Sequence, residues 1–294
     1  MKKYVIFIIS LLLLITFMPY FVKNMKERPI YEKLGFLPRG KFYKTVIGEF
    51  RWFLGEYFTF KAITYYGTKV GRMLKGEEVD VEYFNLYKTI ETAVLLNPYH
   101  EDAYYFAQAA FVWDIGRVKE VNSLLEYVFK YRKWDFQIPF FLGFNYSYFF
   151  KDYKKAAEYF KKAAELSGIP FFATLSARYF YESGHIELGI MFLEYMIKNT
   201  RKENIKKFYQ KRLIALKAIY LLKKAVNKYK KTFGHLPSNL NDLVKKGIIE
   251  KLPEDPYGGK FYLDKTGKIR TTSKLTEAWK KHGNYKDRKS NKDL

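Results

Sequence analysis

Histidines, cysteines and paired carboxylates carry most hydrolytic, redox and metal chemistry. This chain of 294 residues spreads them thinly. It has no cysteine, which removes disulfides, thiolate metal sites and thiol nucleophiles together. The four histidines, His100, His185, His235 and His282, lie far apart, and none has a second ligand one helical turn away. No glycine-rich loop ends in Lys-Ser/Thr, and there is no Gly-x-Ser-x-Gly elbow. Gly258-Gly259 reads as a tight turn. Asp255 and Asp264 lack calcium-loop spacing and read as turn formers. Glu77-Glu78 and Glu101-Asp102 fall at helix starts, where a carboxylate meets the positive end of the helix dipole. The expectation is a chain with no catalytic residues, no cofactor and no metal, and therefore not an enzyme.

Composition narrows the class. Apolar residues make up 48%, too many for a disordered chain. The 27 Tyr and 27 Phe imply a core built largely from rings. A formal charge of +23 favours anionic partners. Abundant lysine, no cysteine and glutamine only at Gln108, Gln137 and Gln210 fit a thermophile's composition.

The elements that would position any site are mainly α-helical. Met1-Lys2-Lys3 precedes Tyr4–Val22, a run without charge. As a helix that run spans roughly 28 Å, about the thickness of a bilayer's hydrocarbon core. "FMPYFVKN" offers no small-residue cleavage site, so residues 1–23 read as an uncleaved single-pass transmembrane anchor. Positive charge is nearly balanced across the run. The short basic head reads as cytoplasmic, which puts the body outside the cytoplasm, in the periplasm. Residues 24–41 form a linker broken by Pro29, Gly35, Pro38 and Gly40. Phe42–Leu74 reads as one long helix with a seam of Val46, Phe50, Phe53, Tyr57 and Phe60, widened by Ile47, Leu54 and Phe58. Such a helix is expected to be buried or to lie against the membrane, and Arg51, Glu56 and Lys61 argue against a second span.

From Tyr83 to Asn199 the pattern repeats at about 34 residues. Gly116, Lys151 and Gly184 fall at the turn between paired helices. Ala109, Gly143 and Ala177 supply a small residue about seven positions earlier. In the second helices Val121, Ala156 and Gly189 coincide, as do Leu125, Phe160 and Leu193, then Val128, Ala163 and Met196. The clearest unit is "FLGFNYSYFFKDYKKAAEYFKKAAEL"; a half-unit, "YKTIETAVLLNPYHEDA", precedes it with Ile90, Ala93 and Pro98. This stretch resembles the tetratricopeptide repeat (TPR) family in degenerate form. The resemblance implies an α-helical solenoid across residues 42–200, with the long helix leading it. It also implies a concave groove lined by first helices, which receives a protein or peptide partner. Carried over by position, the groove is Phe106, Ala110, Trp113 and Asp114 from the first unit. Gln137, Phe140, Phe144 and Tyr148 come from the second, and Phe171, Arg178, Tyr181 and Glu182 from the third.

Residues 201–233 read as a capping helix. Ile205, Tyr209, Leu213, Leu216 and Tyr220 face the last repeat, joined by Ile219, Leu222 and Val226. A basic surface of Lys206, Lys207, Lys211, Arg212, Lys224 and Lys228 faces away. Residues 234–275 carry a short helix, Asn239–Lys246, capped by Ser238, then strands Lys260–Leu263 and Lys268–Thr272 around an Asp264–Gly267 turn. "KKTFGHLPSNLNDLVKKG" followed by "LPEDPYGGKFY" resembles the globular end of the major pseudopilin of type II secretion. The pilin processing signal, the anchor glutamate and the family's calcium loop are all missing, so the resemblance implies a borrowed fold element. Residues 276–294 are polar and read as a disordered tail.

Two functions follow as expectations. One is a non-enzymatic, membrane-anchored scaffold that binds a partner protein or peptide in an aromatic groove, within cell-envelope assembly, pilus or secretion machinery. The other is a polyanion-binding module that uses the helix at 201–231 on anionic lipid, wall polymer or nucleic acid. Nucleic acid is disfavoured because an exported body would rarely meet it.

Overall fold

The computed structural model describes residues 2–27, 33–35, 37, 40–113 and 115–275. The expected tail, much of the linker and Asp114 lie outside the described residues. The chain is mainly helical and divides into two units, Met1–Phe106 and Ala107–Leu294.

The first unit opens with α1 (Lys2–Glu27). Its window Ile6–Lys23 has a mean hydropathy of 2.2 and none of it is buried, so it is long and apolar enough to cross a membrane. Its polar side chains are satisfied locally: Ser10 Oγ donates to the Ile6 carbonyl at 2.9 Å and Thr16 Oγ1 to that of Leu12 at 2.8 Å. Internal satisfaction is what a helix surrounded by hydrocarbon requires.

The single long helix expected over Phe42–Leu74 is broken. α2 (Gly40–Val46), a 3₁₀ turn (Gly48–Phe50) and α3 (Arg51–Met73) take its place. Gly48 sits at φ +56, a left-handed conformation that ends α2 and redirects the chain. α3 packs on α4 (Tyr83–Leu96), and Gly55 allows close approach: a Cβ there would meet Asn97 Cβ at 2.7 Å. The buried face of α3 is Gly55, Phe58, Thr59, Ala62 and Tyr65. The expected seam is not buried among the described residues, which leaves the second of its two expected placements, against a membrane, open. Phe50 is 74% exposed, Phe53 and Phe60 70% each, and Val46 and Tyr57 are exposed too. Rings occur on both sides of α3, so ring spacing alone does not select the side that meets α4. The glycine and alanine at positions 55 and 62 do, because they let the backbones close. Ile90, Ala93 and Pro98 of the half-unit are buried. α5 (Glu101–Phe106) ends the unit.

The second unit starts with a π-helical turn, Ala107–Phe111, and continues as α6 (Val118–Tyr131), α7 (Gln137–Tyr148), α8 (Tyr153–Ser167), α9 (Pro170–Glu182), α10 (Ile186–Asn199) and α11 (Glu203–Phe233). Each of these helices packs against the next along the chain. The three turn positions share one conformation: Gly116, Lys151 and Gly184 all have positive φ, at 69, 54 and 83. Just past each, a backbone N–H closes the preceding helix: Arg117 to Phe111, Asp152 to Tyr146 and His185 to Phe180. All nine aligned second-helix residues are buried. Gly143 lies against the face of Phe160, with ring carbons 3.0–3.1 Å from where a Cβ would sit. Ala177 is fully buried, and its carbonyl lies 3.3 Å from a Cβ built on Gly189. Ala109 departs from the pattern and is exposed, while Ala107 and Ala110 are buried. The wide π turn inserts one residue and rotates this stretch by about one position.

α11 caps the unit through Tyr209, Leu216, Ile219, Leu222 and Val226, which join a core continuous with α9 and α10. Gly234, left-handed at φ +75, ends it. α12 (Asn241–Lys245) is shorter than expected, and Ser238 does not cap it with its side chain. Instead the Asp242 carboxylate accepts the backbone N–H groups of Ser238 and Asn239. β1 (Phe261–Leu263) and β2 (Ile269–Thr271) pair antiparallel, with Tyr262 opposite Arg270. Asp264 opens the turn between them, and its Oδ1 accepts from the Thr266 and Lys268 N–H groups at 2.9 Å each. These bonds, led by that from the Thr266 hydroxyl, hold the carboxyl well below the usual carboxylate range. Asp255 bonds the Tyr257 N–H, Ser273 Oγ and Thr271 Oγ1, joining the Pro-rich run to β2.

Candidate functional site

The first helices of the second and third hairpins frame a cleft of about 570 Å³. From α7 come Phe140, Phe144 and Tyr148, and from α9 come Phe171 and Arg178. With Glu182, which also lines the cleft, these are six of the twelve residues assigned to the groove from sequence.

Ring geometry holds the α7 wall. Phe144 and Tyr148, one turn apart, stack at 5.5 Å with their planes 9° from parallel. Trp113 leans on both, at 5.9 and 5.6 Å, and meets Phe149 edge-on at 5.3 Å. Trp113 and Tyr148 nevertheless stay exposed, at 55% and 52%. Lys151 Nζ lies 5.1 Å above the Tyr148 ring, adding a cation at the same end. On the α9 side Phe171 is 57% exposed, and its neighbour Phe172 is buried against Phe136 and Phe140. Arg178 is exposed on the same helix. The cleft thus has apolar, ring-faced walls with charge at its margins.

α8 also lines the cleft, which positional reasoning missed because it gave the groove to first helices alone. Tyr153 and Phe160 both reach it, stacked on Tyr179 at 5.7 and 5.4 Å. The available signal was the small residue Gly143, since a glycine facing Phe160 lets that ring pass between helices.

Of the other six, Asp114 lies outside the described residues, Ala110 is buried, and four more lie elsewhere. Gln137 is half-buried at the start of α7, its N–H bound to Asp135 Oδ1 at 3.1 Å. Phe106 ends the first unit with its ring edge-on to Tyr66 at 5.6 Å. Trp113 supports the α7 wall without lining the cleft. Tyr181 is buried and turned toward the hairpin: its hydroxyl donates to the Ile269 carbonyl, and Lys268 Nζ lies 4.8 Å over its ring. Burial pushes its phenol up to about 12. Its neighbour Glu182 binds Lys268 and Arg270, at 2.9 Å each, so this end of α9 anchors the hairpin.

The basic surface loses one member. Arg212 is 2% exposed, because it lies three residues after Tyr209 and four before Leu216 on the buried face of α11. Its Nη1 donates to the Leu275 carbonyl at 2.6 Å and Nη2 to that of Thr174 at 3.5 Å. Burial lowers its pKa. Lys206 pairs with Glu203 at 3.3 Å, Lys211 sits 4.9 Å over the Tyr257 ring and Lys224 4.6 Å over that of Tyr220. Lys207 and Lys228 are exposed.

Among the described residues, no group of three His, Asp or Glu side chains converges as a metal site. In comparisons with known proteins, no family model, no curated protein and no solved structure matches this chain.

Proposed function

We propose that this protein is a membrane-anchored, non-enzymatic scaffold whose stacked helical hairpins form a TPR-like solenoid and hold a partner polypeptide in the cleft between α7 and α9. The observation that carries this reading is the concentration of exposed rings there. Tyr148 and Phe171 stand in solvent on two walls of one cleft, beside Phe140 and Phe144. Exposed aromatics grouped in a concavity are the usual anchors of polypeptide recognition. α1 is the membrane anchor, and the helical body lies outside the cytoplasm. The resemblance of the C-terminal segment's sequence to the globular end of a pseudopilin, an analogy alone, supports a role in envelope assembly, pilus or secretion machinery.

Substituting Tyr148→Glu and Phe171→Glu tests this reading. Both side chains are exposed, so the fold is retained while a charge enters each wall. Co-purification from detergent-solubilised membranes is expected to lose a discrete partner in both variants. Retention of that partner by both would refute the cleft as its seat.

The polyanion reading rests on Lys207, Lys224 and Lys228. It is the weaker one, because Arg212 is buried and Lys206 and Lys217 have acidic neighbours in Glu203 and Glu194. It calls for binding that falls steeply with salt.

A further inference from the structure

Apart from a Trp52–Tyr99 ring contact at 6.1 Å, the exposed aromatic face of α2 and α3 is left uncovered by the described residues, and the chain itself limits what can cover it. We infer that this face lies in the headgroup layer of the same bilayer that α1 crosses, so that the first unit rests on the membrane; the inference depends on α1 being the anchor.

The face has the makeup of an interfacial surface. Phe53, Tyr57 and Phe60 recur at helical spacing along one side of α3, and Trp52 and Ile63 flank them. Phe42 and Val46 of α2 and Phe50 of the 3₁₀ turn continue the exposed apolar surface. The side chains are mostly aromatic, and Trp and Tyr concentrate where hydrocarbon meets water. Glu49, Arg51 and Glu56 share the exposed side, which fits a helix lying at headgroup level and not one sunk in the hydrocarbon.

The tether is what selects lipid as the occupant. Leu34 is buried and pinned to the body: Lys61 Nζ, on α3, donates to its carbonyl at 3.1 Å, and its N–H donates to Glu82 Oε1 at 3.3 Å. Only six residues, 28–33, lie between it and Glu27, the end of α1, a span of seven Cα steps. Fully extended, they reach about 25 Å. α3, at 23 residues, is itself roughly 34 Å long. Once α1 spans a bilayer, α3 is therefore held within its own length of the surface. An apolar face kept that close meets lipid at a very high effective concentration.

The absence of native cysteine allows single-site labelling of the full chain. Tyr57→Cys and Phe53→Cys, both at exposed positions, would carry an environment-sensitive fluorophore, with Leu13→Cys in α1 as the reference. Each protein is reconstituted into vesicles containing lipids brominated either near the headgroup or near the chain end. Circular dichroism confirms folding. The expected result is quenching of the α1 label by deep bromine and quenching of both α3 labels by shallow bromine. An α1 label quenched by lipid together with α3 labels open to aqueous iodide would overturn the inference and leave the anchor intact. α3 labels shielded from both quenchers would also overturn it, by showing that protein and not lipid covers the face. An α1 label untouched by brominated lipid would remove the anchor reading itself, and this inference with it.

Discussion

Asn145, fully buried on α7, ties the first hairpin of the second unit to the next. Its Nδ2 donates to Gln108 Oε1 at 2.8 Å and to Asn122 Oδ1 at 2.7 Å, and its Oδ1 accepts from Gln108 Nε2 at 3.0 Å. Gln108 lies in the π turn and Asn122 in α6, and both are buried. Asn145→Ala would leave the Gln108 amide and the Asn122 oxygen without their present partners in a buried interior. Each stranded group costs about 1–3 kcal/mol, so the single substitution is expected to destabilise by roughly 3–5 kcal/mol. Replacing all three residues with leucine removes the orphans along with the bonds, and is expected to recover much of that loss. The assay is urea unfolding of the detergent-solubilised full chain, followed by far-UV circular dichroism. Coupling between positions 108 and 145 is read from a double-mutant cycle and expected at about 1–3 kcal/mol. Additive effects at the two positions, or a loss below about 0.5 kcal/mol for Asn145→Ala, would refute the network as a link between hairpins.

Lys151 holds φ +54 where the equivalent turns use Gly116 and Gly184, so Lys151→Gly is expected to raise stability by roughly 1 kcal/mol in the same unfolding assay. Charge reversal separates the two faces of α11: Lys207→Glu should change stability by less than about 0.5 kcal/mol, whereas Arg212→Glu should cost more than about 3 kcal/mol by facing a carboxylate to the Leu275 and Thr174 carbonyls. Asp264 has a depressed pKa, so its contribution to stability is complete above the unfolded value near 4 and is lost as pH falls through the folded value. Asp264→Asn is therefore expected to flatten the acid limb of a stability–pH profile below about pH 4.

The sequence carried the turn positions of the second unit because one physical demand recurs at each: a left-handed residue must end a helix, and glycine meets that demand twice in three turns. The second-helix core positions were readable because small and large apolar residues alternate against lysine-rich outer faces, as in α8. The facing of α3 was not, because Phe53, Tyr57 and Phe60 compete with Phe58 and Tyr65, and only Arg51 and Glu56 stand among the outer rings to mark the outside. Ala109 moved off its expected place because a π turn adds a residue that spacing cannot reveal. Arg212 read as surface because arginine usually is; only the spacing from Tyr209 and Leu216 pointed inward. In the cleft, Phe144, Tyr148 and Phe171 followed from hairpin position. Tyr181 did not, since its hydroxyl is claimed by a β-strand far along the chain.

The most direct test of a polypeptide-binding cleft is photo-crosslinking in intact cells. A photoreactive phenylalanine analogue is placed at Phe171 in the cleft, and in a separate chain at Leu188, an exposed position on α10. Both chains keep the native anchor. The account predicts a discrete protein adduct from position 171 that is absent from position 188 and disappears when Tyr148→Glu is added. Equal adducts from the two positions, or an adduct at 171 indifferent to Tyr148→Glu, would contradict it.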